Sequence, residues 1–192
     1  MIIIRRHRSE ATPEVRATGA TQTRETSVPE GVPTWMVQGA TATAATPPRP
    51  RGRVKIGLRW GDNDPAARNI DLDLYVKAKP SAKEIFYRVA RTPEGKLWKD
   101  WVESPSVAQG FETVELNDEI DLAQLSVAVN FYAGHHPAGA VNAQLCVWVD
   151  GATYETPIRV LVGDGNRGGA SERRNSDKHW VTVDVPRLVG LR

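Results

Sequence analysis

The chain has a single cysteine in 192 residues, Cys146, which excludes an intrachain disulfide. It has no run of about 18 apolar residues, so no helix of it can span a bilayer. A Gly-x-Ser-x-Gly elbow is absent, and with it the usual signature of a serine hydrolase. The Gly-rich stretch 163–169 does not end in Gly-Lys-Ser/Thr or open a helix, so it reads as a hairpin tip rather than a phosphate cradle. Charge of one sign is lacking too. The net +2 is too small to imply nucleic acid by itself. Cys146, in Leu-Cys-Val-Trp-Val, reads as a small buried or half-buried thiol, since no base is placed near it in the sequence.

Met1-Ile2-Ile3-Ile4 is followed by Arg5-Arg6-His7-Arg8. A secretory signal has the reverse order and a longer apolar core. The expectation is cytoplasmic synthesis, with a virion or other large assembly as the destination.

What is present divides in two. Residues 1–53 hold eight Arg, no Lys and four Glu, whereas the rest carries two more acidic than basic residues. Residues 1–52 are rich in Thr, Ala, Pro and Arg, a composition that cannot bury enough apolar surface to offset the entropy of ordering. An arm of this length reaches roughly 170 Å when extended. Its apolar spots, Ile2, Ile3, Ile4, Trp35 and Met36, suit docking onto other subunits, the isoleucines by adding a strand to a neighbouring sheet.

Residues 53–192 read as strands. Val54, Ile56, Leu58 and Trp60 alternate with Lys55, Gly57 and Arg59, and Ile70, Leu72, Leu74 and Val76 alternate with Asp71, Asp73 and Tyr75. Further strands are expected over 84–89, 111–116, 125–132, 141–149, 153–161 and 179–185, with a long connection through Pro93-Glu94-Gly95 and Trp98. Asp150-Gly151 is the strongest hairpin signal. Only 121–124 suggests a short helical turn. This predicts an all-β fold, an antiparallel two-sheet β-sandwich of jelly-roll or immunoglobulin-like type with about eight strands.

The most chemical stretch is 60–76. Asp62 and Asp64 lie in a loop, Asp71 and Asp73 on one face of the strand that follows, and four acids converging on a sheet end could hold Ca²⁺, with Asn63 or Asn130 as neutral oxygens. The spacing is not that of an EF-hand. The alternative is a solvated face paired with Arg59 or Arg68.

Leu58-Arg59-Trp60, Asp71-Leu72-Asp73-Leu74-Tyr75-Val76, Ile85-Phe86-Tyr87, Gly110-Phe111-Glu112 and Val127-Ala128-Val129-Asn130-Phe131-Tyr132 together resemble bacterial β-sandwich modules of the pre-peptidase C-terminal type. A weaker similarity is to tellurium-resistance Ter-type domains, which share the Asp-Leu-Asp strand. Both resemblances imply a non-catalytic sandwich, and the second implies Ca²⁺.

Other motifs have plainer readings. His135-His136 reads as loop decoration, because adjacent histidines point different ways. Arg167, Arg173 and Arg174, with Trp180 beside them, are the residues that could touch nucleic acid, together with the Arg-containing arm. Trp98 and Trp101 are placed to bind sugar or another subunit. No catalytic constellation is seen, and the chain is expected not to be an enzyme. The leading expectation is a structural subunit, for example of a virion capsid, decoration or tail, whose arm wraps neighbouring protein subunits. The alternative is a Ca²⁺-dependent or aromatic-based module for carbohydrate, peptide or surface polymer.

Overall fold

Alternation of apolar and polar residues builds every long strand. In β1 (Arg51–Trp60), Val54, Ile56, Leu58 and Trp60 are buried inward, while Lys55, Gly57 and Arg59 face out. The computed structural model describes residues 33–36, 51–61, 64–100, 110–163 and 174–191. Within them follow β2 (Asp71–Lys77), β3 (Arg91–Thr92), β4 (Gly95–Lys99), β5 (Gly110–Asp121), β6 (Ser126–Ala133), β7 (Ala140–Val149), β8 (Ala152–Leu161), β9 (Trp180–Val183) and a short helix α1 (Val185–Leu188).

Two antiparallel sheets result, one of six strands in the order β3-β4-β5-β1-β7-β8 and one of three in the order β2-β6-β9. This is the expected all-β sandwich. The core between the sheets takes Ile56, Leu58 and Leu145 from the large sheet and Leu72, Leu74, Val129 and Phe131 from the small one, all fully buried. Asp150 and Gly151 both adopt positive φ, 46° and 96°, and join β7 to β8 in a ten-pair ladder, as the Asp-Gly signal predicts.

Three expectations are corrected. Residues 84–89 form no strand: a turn there makes only isolated bridges, Val76 to Ile85 and Phe86 to Val89. The presumed long connection contains the β3-β4 hairpin, turned at Pro93-Glu94 and paired onto β5. The third concerns Met36. Rather than projecting as an anchor for another molecule, it is fully buried on the outer face of its own large sheet, in the 3-10 turn Thr34–Met36. Gly57 makes the notch for it, since a Cβ there would lie 2.6 Å from the Met36 methyl. Thr113 and Cys146 wall the notch: the Thr113 hydroxyl lies 3.3 Å from Met36 Sδ and Cys146 Sγ 3.7 Å from Met36 O. Trp35 packs partly buried beside it. The sandwich body therefore includes these residues from the stretch assigned to the arm.

Candidate metal centre

β2 is an edge strand, so one side of its backbone needs partners from elsewhere. Glu112 supplies one. It shares the inward face of β5 with Val114 and Leu116, lies opposite Leu58, is 1 % exposed, and accepts the Leu74 N–H at 2.7 Å through Oε2. Asp73 projects from the same edge strand. Asp100 immediately follows β4, whose last residue, Lys99, is paired with Thr113, so the register carries Asp100 toward Glu112.

Asp73, Asp100 and Glu112 each offer a carboxylate oxygen within 4.8 Å of the other two. That span is about twice a ~2.4 Å Ca–O bond, the widest separation two ligands of one Ca²⁺ can have. Asp73 is 3 % exposed, and its Oδ2 is buried with no hydrogen-bond partner among the described residues. Burial pushes the Asp73 carboxyl up to about 8, and the charges of Asp71 and Asp100 push in the same direction, while Tyr75 and Arg88 oppose them. An all-carboxylate donor set with an orphaned buried oxygen suits a hard cation such as Ca²⁺. Water would have to complete the coordination shell.

The expected cluster is thus regrouped. Of the described members Asp64, Asp71 and Asp73, only Asp73 belongs to the set of three. Asp71 is buried at the irregular start of β2, where the ladder with β6 passes from Ala133 to Phe131, and it acts on Asp73 through its charge. Asp64 has other work. It caps the 3-10 turn Pro65–Asn69 by accepting from Ala66 N, and its Oδ2 lies 2.9 Å from His136 Nε2. His136 is accordingly buried and structural rather than decorative, with Nδ1 accepting from Ala138 N. Asn130 is fully buried; in the amide orientation that satisfies both its ends, it accepts from Trp180 Nε1 at 3.1 Å and donates to Phe131 O at 3.0 Å. Its oxygen is not available to a cation.

Glu112 and Asp100 were missed in the sequence. Glu112 was detectable: it falls at an inward position of a strand, in step with Val114 and Leu116, where a carboxylate is out of place. Asp100 gave no such signal, because its role depends on the register of a hairpin that was not foreseen.

The basic loop reading is corrected at Arg174. Its Nη2 donates to Glu84 Oε1 at 2.6 Å, and its guanidinium lies over the rings of Trp180 and Tyr75. Trp180, only 7 % exposed, and Tyr75 belong to a small second core on the outer face of the small sheet, and Arg174 lies over it. Cys146 is buried and its thiol is pushed up to about 12, first by burial and then by Glu155, so it stays protonated. Trp98 is exposed, as an aromatic contact residue must be. Ile2, Ile3, Ile4, Asp62, Asn63, Trp101, Arg167 and Arg173 lie outside the described residues. Among the described residues, no helix is long and apolar enough to cross a membrane. Comparison with family models, curated proteins and solved structures gives no match to this chain.

Proposed function

We propose that this chain is a non-catalytic β-sandwich binding module whose edge strand β2 is fixed by a hard divalent cation, with Ca²⁺ the best fit, held by Asp73, Asp100 and Glu112. Two observations carry this reading: Asp73 has a buried Oδ2 with no hydrogen-bond partner among the described residues, and its carboxylate stands at ligand spacing from two more. Binding to the native state alone stabilises it by about 2.7 kcal/mol at a hundredfold excess over Kd. For a domain of this size that raises the melting temperature by roughly 5–10 °C. The test is thermal unfolding of the full chain in Ca²⁺, in Mg²⁺ and in chelator. Ca²⁺ should raise the transition of the parent and leave Asp73→Asn unmoved. Identical curves for the parent in Ca²⁺ and chelator would remove the cation from the account.

A second reading is a subunit of a larger protein assembly, joined through the leading residues. The support for it is the Met36 plug, which indicates how a segment of this arm can bind across a sandwich face. Between copies, the same plug would link one molecule to the next. Light scattering on the parent and on Ile2→Asp/Ile3→Asp/Ile4→Asp tests it. A large particle that the triple substitution dissociates supports assembly, and a monomer in both excludes it.

A further inference from the structure

On the outer face of the large sheet, the row adjacent to the Met36 plug is built differently. The register aligns Lys96 of β4, Glu115 of β5, Lys55 of β1 and Trp148 of β7 directly across four strands. Side chains on one face at such positions are close neighbours. Glu115 sits at the centre, with Oε1 3.6 Å from Lys55 Nζ and Oε2 accepting from Trp98 Nε1 at 2.6 Å. Lys96 Nζ stands 3.4 Å over the Trp98 ring and Lys55 Nζ 5.2 Å over Trp148. Arg53 adds a third cation to the lining of a cleft of about 370 Å³, within the ~300–1,000 Å³ typical of small-molecule sites. Trp98 is 60 % exposed, the one large apolar side chain so exposed among the described residues.

These parts fit one ligand chemistry. Trp148 lines the cleft, and Trp98 stands beside it through Glu115 and Lys96; the two indoles offer flat apolar surfaces to the C–H faces of pyranose rings. A half-exposed carboxylate accepts from sugar hydroxyls. Three cations against one carboxylate leave positive charge for an acid group on the ligand. A phosphodiester chain fits less well, because Glu115 occupies the middle of the path its phosphates would follow. We propose that this cleft binds an acidic glycan, a uronic-acid oligosaccharide, lying against Trp148 within the cleft and Trp98 beside it and paired through its carboxylates to Lys55, Lys96 and Arg53. The site stands on the face of β5 opposite to Glu112 and does not depend on the cation reading.

Calorimetric titration of the full chain with tetragalacturonate tests it, with cellotetraose and a 12-nucleotide single-stranded DNA as comparators. Chelator is kept present so that the acidic corner contributes nothing. The expected result is saturable binding of tetragalacturonate, at least tenfold tighter than cellotetraose and the DNA. Trp98→Ala and Lys55→Ala should each weaken it at least tenfold with unchanged melting temperature. No saturable binding of tetragalacturonate overturns the proposal. So does equal binding of the neutral glycan, tighter binding of the DNA, or full affinity in Trp98→Ala.

Discussion

Glu112 and Glu115 lie three residues apart on β5 and so emerge on opposite faces of one sheet. Glu112 is 1 % exposed and grips a backbone N–H of the neighbouring sheet. Glu115, its side chain 31 % exposed, bonds to two other side chains, Lys55 and Trp98. The same functional group therefore does two jobs. A carboxylate removed from water must be compensated by donors and, in company with other acids, by a cation. A carboxylate left near water contributes little to stability and remains free to trade partners with a ligand.

The comparison breaks most easily at Glu112. Glu112→Leu leaves the Leu74 N–H of an edge strand without its acceptor and is expected to destabilise the fold by about 2–4 kcal/mol. Denaturant unfolding measures this. Glu112→Gln should recover a good part of the loss, since an amide oxygen still accepts that bond. A leucine variant as stable as the parent would show that β2 needs no tie to β5. Next in size is the outer-face plug. Met36→Ala opens a void above Gly57 and should destabilise by about 2–3 kcal/mol. If it unfolds at the parent's denaturant midpoint, the turn at 34–36 is a surface ornament.

The place of Trp35 and Met36 explains much of what the sequence concealed. The sandwich itself was legible because Val54–Trp60, Leu72–Val76 and Val141–Val149 carry strict two-residue alternation, a local signal. Trp35-Met36 carries none. Its place depends on Gly57 and Cys146, far away in the chain, leaving a notch of the right depth. The acidic corner was half legible for the same reason. Asp73 stands out in Asp-Leu-Asp-Leu, but what surrounds it comes from β5 and the end of β4, through a hairpin whose strands are too short to show a period. Asp64 misled because a loop carboxylate beside Pro65 serves equally as a cap or a ligand, and the choice was made by His136.

Asp73 sharpens the comparison through pH. In chelator its folded value, about 8, stands well above the ordinary 3.8, so the native state prefers the neutral acid. Stability is then full below pH 4 and falls as pH rises toward 8. Saturating Ca²⁺ should flatten that fall by favouring the ionised form. Asp73→Asn should flatten it without Ca²⁺, giving a variant more stable than the parent at pH 8 in chelator. Stability profiles from pH 4 to 8 decide this. A parent profile that matches that of Asp73→Asn over this range contradicts an Asp73 held in its neutral form by burial.

The smallest effect belongs to Glu115. Its pair with Lys55 is more than a third exposed on the lysine side, and such pairs contribute under ~1 kcal/mol. Glutamine keeps an oxygen for the Trp98 indole, so Glu115→Gln should change stability by no more than about 0.5 kcal/mol. The outcome carries weight because it is small. Four strands present Lys96, Glu115, Lys55 and Trp148 in one row, and a row held together for stability would weaken measurably when its central charge is removed. A row that tolerates the change has its charges and rings arranged for something outside the fold. A loss above 1.5 kcal/mol reverses that conclusion and makes Glu115 a structural residue like Glu112.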